Sequence, residues 1–160
     1  MSSTASIASE PGIPAWLSAL LGPAALVWQN GMLRSEGVVS HAQRQTEGAF
    51  GFKWQKRDTF ESATSLARMR AWLIERYTDV ATAPWLVEHG DNPLLLDAGC
   101  GAAMSALELF APILDRVRYL GVDISQAVDV AAARFAERGL PGTFMQADIV
   151  SLPLPPGSVD

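Results

Sequence analysis

The sequence predicts an α/β fold: an open parallel sheet with flanking helices, truncated after its third strand and preceded by a mainly helical N-terminal segment with a small hairpin. Three aliphatic segments carry this expectation. Leu94-Leu95-Leu96 ends in Asp97, Tyr119-Leu120-Gly121-Val122 ends in Asp123, and Phe144-Met145-Gln146-Ala147 ends in Asp148. The acids stand 26 and 25 residues apart, the length of a strand plus a crossover helix, so the segments read as successive units of one sheet. A small-residue turn, Ala98-Gly99-Cys100-Gly101-Ala102-Ala103, follows the first strand and leads into a helix. Composition agrees with a folded domain. The chain has 160 residues, 49% hydrophobic and 18% charged, enough to bury a core.

Along the chain, residues 1–12 are small, polar and aperiodic and are expected to form a flexible tail. Residues 13–58 read as an N-terminal cover segment. Within it, the apolar run from Ile13 to Trp28 is interrupted by Pro14, Gly22 and Pro23 and is too short for a membrane span. Met1 to Pro11 lacks the basic residues of a secretory signal. Asn30-Gly31, between Ala25–Trp28 and Met32–Arg34, supplies the two positive φ angles of a tight hairpin.

From residue 59 onward the chain reads as the main domain. Asp58 and Glu61 form a capping box for a helix over 59–77, with Leu66, Met69, Leu73 and Tyr77 on its inner face. Pro84 and Gly90 bracket a second, short helix, and Asp91-Asn92-Pro93 is a turn. After the first strand, a helix runs from about Ala103 to Leu114 with Leu107 and Phe110 inward. After the second, a helix capped by Ser125 buries Val128, Ala131, Ala132 and Phe135 and stops at Gly139.

Open parallel sheets bind ligands beyond the carboxyl ends of their strands, so Asp97, Asp123 and Asp148 should gather around one crevice. Any one of them alone would read as a loop-starting Asp that hydrogen-bonds its own backbone. Ligand charge then separates two nucleotide chemistries. A dinucleotide would set its pyrophosphate on the glycine turn, where Asp97 repels it, and Met104 replaces the third glycine of the dinucleotide fingerprint. S-adenosylmethionine has no phosphate and presents an ammonium and a sulfonium, which an acid at the strand end attracts. Asp123 can then accept from both ribose hydroxyls, and Asp148 from the adenine amino group with Ile149 beside the ring.

The segments Leu94–Gly101, Leu120–Ser125, Phe144–Asp148 and Leu152–Asp160 resemble the first four motifs of class I S-adenosylmethionine-dependent methyltransferases, which have a Rossmann-like fold. The resemblance implies that Asp97, Ala98, Gly99 and Gly101 hold the methionine part, Asp123 and Ile124 the ribose, and Asp148 and Ile149 the adenine. It implies a small-molecule methyl acceptor, with the quinone-methylating subgroup the most similar. Ala103, where many members carry a third glycine, is expected to tighten the turn without closing the site. Phe50-Gly51-Phe52-Lys53-Trp54 resembles a segment that covers the cofactor in some bacterial members, although packing of an N-terminal helix on the sheet accounts for it equally.

That family has seven strands, and Val159-Asp160 stands where its fourth should start. The chain is therefore expected to be the N-terminal, cofactor-binding portion of a longer enzyme, incomplete at its C-terminus, with catalysis needing the other half. Two other readings remain: a non-catalytic nucleoside-binding or interaction module completed by another chain, and a nicotinamide dehydrogenase.

The remaining features imply little chemistry. Net charge is -5 and the sequence pI about 5.0, which offers no positive field for nucleic acid. One cysteine and two histidines imply neither a disulfide nor a metal and suit the cytoplasm. Cys100 has no activating partner, His41 and His89 are isolated, and Lys53, Lys56, Arg57, Arg116, Arg118, Arg134 and Arg138 read as solvated surface.

Overall fold

The computed structural model describes residues 12–22, 26–35, 62–88 and 90–160. Several sequence readings lie outside the described residues: the segments 1–11 and 50–54, the Asp58/Glu61 capping box, both histidines, and Lys53, Lys56 and Arg57.

Among the described residues the chain order is α1 (Ala15–Leu20), β1 (Leu26–Gln29), β2 (Met32–Ser35), α2 (Ala63–Tyr77), α3 (Pro84–Glu88), β3 (Leu94–Ala98), α4 (Met104–Phe110), β4 (Arg118–Asp123), α5 (Ala127–Glu137) and β5 (Thr143–Gln146). They build one five-stranded sheet in the order β1-β2-β5-β4-β3. The three expected parallel strands are adjacent, with Asp97 paired to Gly121 and Asp123 to Gln146. The sheet is mixed, because the hairpin does not stand apart from it. Asn30 and Gly31 adopt φ 53° and 76°, the expected tight turn, and β2 then runs parallel to β5, pairing Leu33 with Met145 and Arg34 with Gln146.

Both sheet faces are buried, which is why the strands are apolar runs and not alternating ones. On one face, Tyr119, Phe135 and Phe144 form an aromatic cluster with Leu107, Ile113 and Val128 beneath α2, α4 and α5. On the other, Leu33, Leu94, Leu120, Val122 and Met145 pack on Leu17 of α1, with Leu152 and Leu154 from the C-terminal segment. The Gly22 N–H donates to the Pro153 carbonyl at 2.9 Å and ties these two coverings together.

Element ends differ from the sequence reading in instructive ways. Helix α2 begins at Ala63, where Ser62 accepts from the Ser65 N–H, four residues later than the capping box implied. Tyr77 is exposed, and Ile74 packs on the core beside Met69 and Leu73. The stretch expected to be helical to Leu114 is α-helical only to Phe110, after which Pro112 forces a 3-10 turn over Ala111–Ile113. Gln126 occupies the N-cap of α5, although the Ser125 hydroxyl still accepts from the Ala127 N–H at 3.3 Å. Strand β5 ends at Gln146, so Asp148 does not terminate a strand but caps a 3-10 turn over Ile149–Ser151.

Candidate functional site

Strand alternation sends Tyr119, Gly121 and Asp123 to the face that carries α4 and α5, and parallel register sets Asp97 beside Gly121 on that same face. Two chain reversals then bring the strand ends together. The Gly99 and Cys100 N–H groups both donate to the Val122 carbonyl, at 2.8 and 3.0 Å, folding the glycine turn over the end of β4. The Ala147 N–H donates to the Asp123 carbonyl at 3.0 Å and fixes the approach to Asp148. Asp97 and Asp123 thus lie on neighbouring strands of one face, and Asp148 follows directly on the residue bonded to Asp123.

The turn depends on its small residues. Gly99 and Gly101 have φ of 82° and 52°. A Cβ on Gly121 would stand 2.9 Å from the Phe144 ring and 3.2 Å from the Cys100 sulfur, so the turn can lie on β4 only if that position is glycine. Ala103 is buried at φ 56°, left-handed geometry that costs a residue with a Cβ about 1–2 kcal/mol. The glycine often found there in the resembling family therefore has a backbone reason, and Ala103 bears that cost at the N-cap of α4.

The N–H groups of the turn point inward. Besides Gly99 and Cys100, the Gly101 N–H donates to Asp123 Oδ2 at 2.8 Å and the Ala103 N–H to the Cys100 carbonyl at 2.8 Å. Four donors that could cradle a phosphate are already used, and the turn lies between two carboxylates. Such a site repels an anion and accepts a cation.

Asp123 Oδ1 accepts from both the N–H and the hydroxyl of Ser125, at 2.8 and 2.7 Å. With two acceptor positions per oxygen, only Oδ2 keeps one open. Asp123 thus has room for one ribose hydroxyl; taking both, as the sequence reading had it, requires Ser125 or Gly101 to let go. Asp148 Oδ1 accepts from the Val150 N–H at 2.9 Å, the local role considered for a lone loop Asp. Beside it Ile149 is half exposed, an apolar surface next to a carboxylate. Ala98 and Gly99 are exposed at the mouth.

Asp97 is mostly buried, and its Oδ2 accepts from the Tyr119 hydroxyl at 2.7 Å. Burial pushes its carboxyl above the ordinary carboxylate range; the Tyr119 hydrogen bond opposes this and the Asp123 charge adds to it. Burial, then Asp97 and Asp123, also drive the Cys100 thiol up, so it stays protonated and is no nucleophile.

Sequence reasoning missed three supports of this site. Tyr119 was identifiable as the same-face diagonal neighbour of Asp97 once register was known. Ser125 was visible in Asp123-Ile124-Ser125 as an Asp bonding two residues ahead. Arg134 overturns the surface reading. It is buried, and its Nη1 donates to the Ala102 carbonyl at 2.6 Å, pinning the turn from α5. Arg118 is likewise engaged, donating to the Asn92 carbonyl and lying 5.5 Å from the Trp16 ring centre. Among the described residues no helix is long and apolar enough to cross a membrane, and no cluster of His, Cys, Asp and Glu could hold a metal.

A family profile described as a methyltransferase domain matches residues 95–160, from the second residue of β3 through Asp97, Asp123 and Asp148. No curated protein matches the chain significantly. Among solved structures, the chain is similar to a protein studied in the conversion of a disulfide bond into a thioacetal group during echinomycin biosynthesis, with 31% identity over 41% of this chain and 28% of that one, TM-score 0.31. It is similar to an S-adenosylmethionine-dependent methyltransferase from Clostridium acetobutylicum ATCC 824, with 20% identity over 66% of this chain and 38% of that one, TM-score 0.35. It is also similar to the plantazolicin methyltransferase BpumL, solved in complex with a monoazolic desmethylPZN analog and SAH, with 16% identity over 68% and 44%, TM-score 0.34. The chain thus spans less than half of the length of each of these chains.

Proposed function

We propose that this methyltransferase domain binds S-adenosylmethionine and that the whole protein transfers its methyl group to a small-molecule acceptor. The glycine turn carries the proposal: its N–H groups are spent on Val122, Asp123 and Cys100, and it lies between Asp97 and Asp123. That environment suits a cationic, phosphate-free nucleoside and opposes the pyrophosphate of a nicotinamide dinucleotide. The donor set fits the cofactor part by part. Asp97 faces the ammonium, and Ala98, Gly99 and Gly101 offer exposed or Cβ-free backbone to the methionine chain. Asp123 accepts a ribose hydroxyl with Ile124 alongside, and Asp148 takes the adenine amino group with Ile149 against the ring.

When bound, the cofactor supplies an electrophilic methyl on a sulfonium. The work of this chain is to bind and orient: the turn, pinned by Arg134 and Gly121, fixes the methionine end, and the Asp123 loop fixes the nucleoside end. Positioning of this kind supplies much of the rate in a displacement reaction. Quinone precursors, lipids and secondary metabolites are the acceptor classes to screen with the whole protein.

Calorimetry with S-adenosylhomocysteine tests the binding step. Micromolar affinity lost by at least about tenfold in Asp123→Ala is expected, the size of a lost hydrogen bond to a charged group. Stronger binding of NAD than of S-adenosylhomocysteine would sink the reading.

A further inference from the structure

Asp97 is an acid in an unfavourable place. The groups facing it are the Tyr119 phenol, the Asp123 carboxylate and the Cys100 thiol, none of them cationic. The Tyr119 hydroxyl donates to its Oδ2 at 2.7 Å. That hydroxyl has little freedom. The Tyr119 ring is buried, stacked on Phe135 with centroids 5.0 Å apart and tilted on Phe144 at 5.8 Å. Rings packed in this way hold the O–H at a fixed point on the helix-covered face of the sheet.

We propose that Tyr119 is a positioning residue for cofactor binding, which holds the Asp97 carboxylate ionised and aimed so that it can receive the ammonium group of S-adenosylmethionine. The inference rests on the cofactor reading given above. Its physical basis is that a donor to the charged form of an acid stabilises that form, and a rigid donor also selects one carboxylate orientation. Burial and Asp123 push the Asp97 carboxyl up, and Tyr119 is the opposing influence. The phenol is itself driven far above its ordinary range by burial and by Asp97, so it remains a donor wherever the protein is folded. The amino-acid end of the ligand is thereby selected by a residue that does not touch it.

The test compares two ligands on two proteins. S-adenosylhomocysteine carries the ammonium, and 5′-methylthioadenosine has the same nucleoside without the amino-acid end. In Tyr119→Phe we expect S-adenosylhomocysteine to bind about tenfold more weakly near neutral pH, with 5′-methylthioadenosine within about twofold of its original affinity. The acid limb of S-adenosylhomocysteine binding should also move to higher pH, because the influence lowering the Asp97 pKa has gone. Equal loss for both ligands, or no loss for either, overturns the inference and leaves the cofactor reading standing. Failure of the unaltered protein to bind S-adenosylhomocysteine overturns both. Should Tyr119→Phe not fold, the affinity ratio of the two ligands in the unaltered protein decides: it should fall on acidification as Asp97 takes up a proton, and a flat ratio overturns the inference.

Discussion

Asp97 shows how a buried acid acts against folding. Its folded pKa is raised, so between the ordinary carboxylate value and that raised value the folded chain holds a proton which the unfolded chain has released. Stability contributed by the protonated acid is present below this window and is lost as pH rises through it. Asp97→Asn is therefore expected to raise the unfolding temperature at neutral pH and to flatten its decline across that window. The same variant should bind S-adenosylhomocysteine at least about tenfold more weakly, since a charge-assisted contact is lost. Thermal unfolding across a pH series, run beside calorimetry, checks both. A variant less stable than the original at neutral pH would show that the buried charge is no burden. Asp97 and its neighbouring glycines were legible in the sequence because backbone turns dictate residue type locally. Tyr119 was not, because a residue 22 positions away meets Asp97 only through strand register.

At the scale of elements, the hairpin is the addition that most changes the sheet. Arg34 on β2 reaches Asp129 on α5, with Nη2 to Oδ1 at 2.5 Å, and donates to Gln146 Oε1 on β5 at 2.5 Å. Gln146 Nε2 in turn donates to the Ile124 carbonyl at 3.1 Å, so the hairpin is linked to the loop that begins with Asp123. Because Asp129 is substantially exposed, water screens the ion pair, and Arg34→Ala should cost only about 0.5–1 kcal/mol. The loss should be local. Amide hydrogen exchange is expected to quicken in β1 and β2 while the β3–β4 ladder keeps its protection, and uniform quickening would show instead that the hairpin unfolds only with the whole. The turn at Asn30-Gly31 was readable because only certain residues accept two positive φ angles. The partner of β2 was not, since β5 lies over a hundred residues away and no local signal names it.

In the whole molecule, a sheet with two apolar faces needs two coverings. One is thick, built from α2, α4 and α5; the other is thin, α1 with the segment around Leu152 and Leu154. Leu17 at the centre of the thin side is fully buried. Leu17→Ala should cost about 2–5 kcal/mol, the range for emptying a buried leucine site, and should open this face to a hydrophobic dye. A cost below 1 kcal/mol would mean that α1 contributes little cover. At the opposite edge from the hairpin, Leu94 is bound on both its polar groups by Asp160: its N–H donates to Oδ2 at 2.8 Å and its carbonyl accepts from the Asp160 N–H at 3.2 Å. Asp160 thus lies along β3 on the side away from β4, the place where the sequence reading put the start of a further strand.

The sequence by itself determined the three parallel strands, the glycine turn, the helices between them and the acids Asp97 and Asp123 on neighbouring strands. These follow from local rules: apolar runs of strand length, positive φ at glycines, and acids where strands give way to loops. Only the tertiary structure decided that the hairpin joins the sheet, that Arg134 is buried beneath the turn, that Gly101 donates to Asp123, and that Tyr119 supports Asp97. Each of these joins residues far apart in the chain, and which of them meet is fixed by strand register and by packing across the sheet, neither of which a linear pattern encodes.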